Sequence, residues 1–146
     1  MPDTLTREER SKRMGLVRGK NTGPEMTVRR LVHGLGYRYR LHGKGLPGRP
    51  DIVMSGRRKL IFVNGCFWHR HPGCVRASMP KQNALFWRRK FEQNVERDRR
   101  QCEALQKCGL KVTVIWECQT RDERSLARVL APVVRAYRVH RGLAKR

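Results

Sequence analysis

The stretch Lys59-Leu60-Ile61-Phe62-Val63-Asn64-Gly65-Cys66-Phe67-Trp68-His69-Arg70-His71-Pro72-Gly73-Cys74 decides the reading of this chain. Its first part is an apolar run of strand length that breaks at Asn64-Gly65. Its second part puts two cysteines, two histidines and the adjacent aromatics Phe67 and Trp68 into one loop. Cys66-x4-His71-x2-Cys74 has the short spacing of a zinc half-site, and Cys118, at the end of a distant apolar strand, offers a fourth ligand. His69 competes with His71 for the third position. Cys102 and Cys108 sit in a helical pattern and read as ordinary packing thiols.

Upstream, Asp51-Ile52-Val53-Met54 reads as the antiparallel partner of this strand across the turn Ser55 to Arg58. A turn centred near Gly56 and Arg57 sets Asp51 opposite Phe62 or Val63, so a carboxylate arrives at the mouth of the Cys/His loop. Tyr37, Tyr39 and Leu41 alternate with Arg38, Arg40 and His42, the period of a strand with one buried face. Asn21 or Thr22 caps a helix over about Pro24 to Leu35, with Glu25 in its first turn and Gly36 as its stop. By default Glu25 is a helix-start carboxylate.

Downstream, Pro80 or Asn83 opens a helix to about Lys107 whose outer face carries Arg88, Arg89, Lys90, Arg97, Arg99 and Arg100. Lys111 to Cys118 is nearly continuous in apolar and β-branched residues, as in a strand buried on both faces, and it is reached by a right-handed crossover. Asp122 to Tyr137 gives a last helix. The order α-β-β-β-α-β-α is an α/β fold: a mixed β-sheet flanked by helices. We expect a basic, partly helical arm over residues 1–22 that orders on a partner, one domain over 23–137, and a disordered basic tail over 138–146.

Charge narrows the partner. The chain has 34 Lys and Arg against 12 Asp and Glu, a formal charge of +22. An excess this large is neutralised by a polyanion, and nucleic acid is the expected one. No stretch joins a clean apolar face to a basic one, so a membrane surface is not expected. The apolar runs are strand-sized, which points to a soluble cytoplasmic protein with reduced thiols.

Phosphodiester cleavage needs a cation against the phosphate and a group that moves a proton. Asp51 offers a hard oxygen ligand for Mg²⁺, a backbone carbonyl near Val63 completes the protein's share, and the His69 imidazole can act as general base. Zinc would then fix the loop without entering the chemistry.

Leu46-Pro-Gly-Arg-Pro-Asp51, Asn64-Gly-Cys-Phe-Trp-His69, Asn94-Val-Glu-Arg-Asp-Arg-Arg100 and Val114-Ile-Trp-Glu-Cys118 stand in this order in the chain. Together they resemble the very short patch repair (Vsr) endonucleases, over nearly the whole sequence from Arg10 to about Tyr137. The resemblance implies the restriction-endonuclease-like fold and nicking of duplex DNA 5′ to the thymine of a T:G mismatch, the lesion left by deaminated 5-methylcytosine. It implies a catalytic Mg²⁺ at Asp51 and the Val63 carbonyl, His69 as base with Glu25 close by, and a structural Zn²⁺ at Cys66, His71, Cys74 and Cys118. Phe67, Trp68 and Trp87 would wedge beside the mismatch from the major groove, Met14 on the N-terminal arm would enter from the minor groove with neighbouring Lys12 also on the DNA, and Lys90 and Asn94 would face the major groove. Asn64 departs from the family, where His or an acidic residue is common, and it cannot carry a proton or a charge. The resemblance further implies a monomer working in the bacterial cytoplasm at the nucleoid, with a functional link to a cytosine-5 methyltransferase and to repair proteins. The residues by themselves also suit two other readings: a restriction-type or less selective nicking endonuclease, and a catalytically silent zinc protein that binds nucleic acid.

Overall fold

A computed structural model of the chain describes residues 6–15, 21–54, 56 and 58–143, with the backbone alone for residues 10, 13–15 and 134–143. The apolar run after Arg58 forms β3 (Lys59–Asn64), the strand about which the sheet is built. β3 pairs antiparallel with β2 (Ile52–Met54) and parallel with β4 (Lys111–Trp116), and β1 (Arg40–Leu41) pairs antiparallel with β2. The sheet order is β1-β2-β3-β4, so the meander and the crossover read from the sequence are both present.

Strand alternation sends side chains to two faces. Ile52, Met54, Ile61 and Ile115 pack on one face with Val28 and Val32 of α2 (Gly23–Gly34) and with Leu126 and Leu130 of α4 (Glu123–Leu143). Val53 and Leu60 pack on the other with Leu105 of α3 (Ala84–Lys107), flanked by Phe62 and Val112. The helix caps follow the sequence: Thr22 Oγ1 accepts from the Glu25 amide, Pro24 lies in the first turn of α2, and Asn83 precedes α3.

Three boundaries differ from expectation. The strand expected over Tyr37 to Leu41 is only Arg40–Leu41, because Tyr37 is buried in the α2 face of the core and Tyr39 Oη donates to the Arg29 carbonyl of α2 at 3.2 Å. β4 ends at Trp116 rather than Cys118; the Gln119 side chain accepts from the Trp116 amide at 2.9 Å and starts a 3₁₀ turn over Glu117–Thr120 that carries Cys118. α4 runs past Tyr137 through Leu143, so the expected disordered tail is helical to that point, and residues 144–146 lie outside the described residues. In the basic arm, Arg7–Gly15 is a helix, α1, while residues 1–5 and 16–20 lie outside the described residues. Among the described residues no helix is long and apolar enough to cross a membrane.

Candidate active site and cysteine cluster

The pairing of Ile52 with Ile61 brings Asp51, one residue before β2, beside the end of β3, where the Val63 amide donates to Asp51 Oδ2 at 2.7 Å. Asp51, Val63, Asn64 and His69 line one cleft of about 760 Å³, together with His42, Arg97, Asp98 and Gln101. The far wall is α3, and Gly48 (φ +75°) lets the loop after β1 close on it, since a Cβ there would meet Gln101 Oε1 at 2.7 Å. The hairpin arithmetic therefore delivered the carboxylate and the imidazole to the same place. Burial pushes Asp51 up to about 6; the Val63 amide opposes this, Glu25 adds to it, and His42 and Arg29 draw it down.

Sequence reading missed the partner of His69. Its Nδ1 lies 2.6 Å from Oδ2 of Asp98 on α3. One turn earlier on the same helix, Asn94 is buried and its Nδ2 donates to the Trp68 carbonyl at 3.1 Å. Asn94 and Asp98 are thus spaced i, i+4 and grip adjacent residues of the loop. The signal was present: an Asn and an Asp at helical spacing within a segment otherwise crowded with arginine. Asn94 consequently differs from the expected groove-facing residue; its amide is spent on the loop.

Behind Asp51 lies Glu25, expected close by, in a buried polar network whose other members, Arg29 and His42, were missed. Glu25, 2 % exposed, accepts from Arg29 Nη2 and from the Asn21 amide at 3.0 Å, and its Oε1 is 2.8 Å from His42 Nε2. Arg29 Nη2 also donates to Asn21 Oδ1 at 2.8 Å. Glu25, His42 and Asp51 each present one donor atom, all within 4.8 Å of one another. Glu25 is therefore close to Asp51, while its charge is already matched by Arg29.

The loop's other end converges on sulfur. Cys66, His71, Cys74 and Cys118 bring one donor atom each within 4.8 Å of one another. His71 Nδ1 is 3.7 Å from Cys66 Sγ and 3.4 Å from Cys118 Sγ, and the Cys118 amide donates to Cys66 Sγ at 3.4 Å. His71, and not His69, joins the thiols; its ring stacks on Trp116 at 4.4 Å. Burial pushes the Cys66 thiol up to about 11, whereas the Arg76 amide lowers Cys74.

Phe67 packs edge-on against Trp68 (5.1 Å), Trp87 (5.9 Å) and buried Phe91 (5.1 Å), leaving the first three half-buried. Arg70 braces this cluster: it sits 3.9 Å over the Phe91 ring and donates to the carbonyls of Phe67, Ala77 and Ser78. Lys90 is exposed on α3 and Lys12 on α1; Met14 also lies on α1, and its side chain is outside the described residues. The basic face of α3 is less free than its sequence suggests, because Arg99 is held by both Glu96 and Glu103.

Comparison with known proteins agrees with this arrangement. Residues 2–76 match the family described as DNA mismatch endonuclease Vsr. The chain is 47 % identical over 136 residues to the type II nicking enzyme V.XorIIP of Xanthomonas oryzae, covering 90 % of this chain and 99 % of that protein. It is 40 % identical over 123 residues to the type II nicking enzyme V.NmeAIP of Neisseria meningitidis, covering 84 % and 87 %. It is 39 % identical over 126 residues to the DNA mismatch endonuclease Vsr of Escherichia coli, covering 86 % and 80 %. On the family match and these identities, the chain belongs to the Vsr family of DNA mismatch endonucleases.

Proposed function

We propose that this member of the Vsr family, a DNA endonuclease on a restriction-endonuclease-like fold, nicks one strand of duplex DNA 5′ to the thymine of a T:G mismatch. The observation that carries the reading is the shared cleft of Asp51 and His69, with His69 steered by Asp98. An ionised carboxylate only accepts, so Nδ1 of His69 carries the proton and Nε2 keeps a lone pair. Nε2 takes a proton from water as the water oxygen attacks phosphorus and the bond to the neighbouring sugar oxygen breaks; Asp98 stabilises the imidazolium that results.

The residues fit the two metals that the family implies. Asp51 and the Val63 carbonyl would hold Mg²⁺ with Glu25 alongside, and a carboxylate raised to about 6 by burial is one that a cation would stabilise in its charged form. When bound, that ion neutralises the phosphate and acidifies water. For the sulfur cluster, tetrahedral bonds of about 2.3 Å to sulfur and 2.0 Å to nitrogen separate the two donors by roughly 3.5 Å. The observed separations of 3.7 and 3.4 Å suit a structural Zn²⁺ on Cys66, His71, Cys74 and Cys118.

The half-exposed aromatics support mismatch selection. A T:G wobble stacks poorly, so insertion of Phe67, Trp68 and Trp87 beside it costs less than at a matched step, and the lesion is read by deformability. Lys12, Met14 and Lys90 add DNA contacts around that wedge. In this reading a monomer acts in the bacterial cytoplasm at the nucleoid, on DNA that a cytosine-5 methyltransferase has modified, and hands the nick to repair proteins.

The test incubates the protein with Mg²⁺ on a T:G heteroduplex and on its matched counterpart, beside Asp51→Ala and His69→Ala. Nicking 5′ to the mismatched thymine by wild type alone is expected; equal products from all three proteins would remove the catalytic assignment. Relatives named as type II nicking enzymes favour a second reading, a less selective nickase, which equal rates on matched DNA would select.

A further inference from the structure

The cleft holds a second imidazole that no part of the proposed hydrolysis uses. His42 follows β1 in the left-handed region (φ +49°), and its amide donates to the Asp51 carbonyl at 3.1 Å. Backbone strain of this kind in a residue other than glycine persists where the surrounding structure enforces it, often at functional sites. Here it turns the ring toward Glu25 and Asp51, with the side chain 27 % exposed toward the cleft.

The surroundings of Nε2 are mismatched. It lies 2.8 Å from Glu25 Oε1, which only accepts, and 3.1 Å from Arg29 Nη2, which only donates. No single tautomer satisfies both neighbours. Arg29 meanwhile occupies Glu25, so a dication at Asp51 meets one carboxylate whose charge is unmatched and one whose oxygen is already engaged. That leaves the cleft short of free oxygen ligands and supplied with a nitrogen.

We propose that His42 Nε2 is a ligand of the dication at Asp51, giving a mixed nitrogen and oxygen site that binds Mn²⁺ in preference to Mg²⁺. Mg²⁺ takes oxygen ligands in near-ideal octahedral geometry, whereas imidazole nitrogen favours first-row transition ions. Coordination would settle the state of Nε2, giving its lone pair to the cation while Arg29 keeps its bonds to Glu25 and Asn21. With Arg29 matching one carboxylate, the dication and an incoming phosphodiester together balance the other.

This inference rests on the reading of the cleft as a dication site, and the experiment separates the two. Mn²⁺ alone is titrated into the full-length protein and followed by electron paramagnetic resonance, with pulsed measurement of nitrogen-14 coupling to the bound ion. Mg²⁺ affinity is obtained by competition. Expected are Mn²⁺ binding that disappears in Asp51→Asn, and a nitrogen-14 signal that survives His69→Gln and vanishes in His42→Gln. The ratio of Mn²⁺ to Mg²⁺ affinity should fall about tenfold or more in His42→Gln. His42→Asn, better suited to a left-handed backbone, is the second variant should the glutamine fail to fold, and the wild-type spectrum needs no variant at all. Mn²⁺ bound through Asp51 without nitrogen coupling, or an unchanged affinity ratio, overturns the role of His42 alone. Failure of Mn²⁺ and Mg²⁺ to bind at Asp51 overturns both this inference and the dication reading.

Discussion

Asp98 reaches from the middle of α3 to place its Oδ2 2.6 Å from Nδ1 of His69 in the loop after β3. The contact fixes which imidazole nitrogen faces the cleft. Asp98→Asn keeps the shape but supplies an amide that can donate to Nδ1, which would put the ring proton on Nε2 and remove the base. Single-turnover nicking of a T:G duplex is expected to slow by about 10²-fold or more, with DNA affinity unchanged. A rate within twofold of wild type would show that Asp98 does not set the tautomer.

The sulfur cluster joins two segments that no strand ladder holds together, the loop after β3 and the 3₁₀ turn after β4. One zinc per chain is the expected metal content. Chelation, or Cys118→Ser, should cost several kcal/mol and lower the midpoint of thermal unfolding by about 10 °C or more. Elemental analysis of folded protein that returns no zinc would contradict this directly.

Asp51 is a carboxylate whose protonated form is favoured by folding, raised from 3.8 to about 6. The stability it contributes is therefore complete below about pH 4 and is lost as pH rises through about 6. Above that range the buried charge opposes folding unless a cation is bound. In the absence of added dication, Asp51→Asn is expected to be more stable than wild type by about 1–3 kcal/mol near pH 7.5 and indistinguishable from it near pH 4. Denaturant unfolding at the two pH values measures the difference; a stabilisation that is equal at both would contradict the burial argument.

Basic residues on α3 separate into free and engaged. Arg88 and Arg89 are exposed, and Arg99 is clamped by Glu96 at 2.5 Å and Glu103 at 2.6 Å. Replacing Arg88 or Arg89 by Ala should weaken duplex binding and reduce the slope of log affinity against log salt by about 1. Arg99→Ala should leave that slope unchanged. A titration series between low and moderate salt distinguishes the two classes, and a loss of slope at Arg99 equal to that at Arg88 would overturn the division.

Much of this architecture could be read from residue order because its signals are local. Alternation gave the β2–β3 hairpin, Thr22 and Gly36 bounded the first long helix, and a parallel strand after a long helix implied a crossover. The position of Asp51 followed from counting across one turn. What escaped were contacts that depend on tertiary direction. Spacing alone cannot choose between His69 and His71; Asp98 claims the first and the ring of Trp116 stacks on the second. Tyr37 and Tyr39 alternate like strand residues because α2 buries and binds them, without forming a ladder. His42 looked like a polar position on a strand, and only its meeting with Glu25 and Arg29 reveals the environment they share. Asn94, which the family resemblance turned toward the major groove, is buried and bonded to the Trp68 carbonyl, a contact invisible to composition.

The parallel pairing of β3 with β4 also bears on how this protein is made. A chain emerging from the ribosome presents Asp51 and His69 early, yet Asp98, which holds His69, and Cys118, whose amide reaches Cys66 in the same loop, are translated later. Unfinished polypeptides thus carry the two proposed cutting residues without the means to align them. Incompletely translated copies of this nuclease should therefore leave DNA intact.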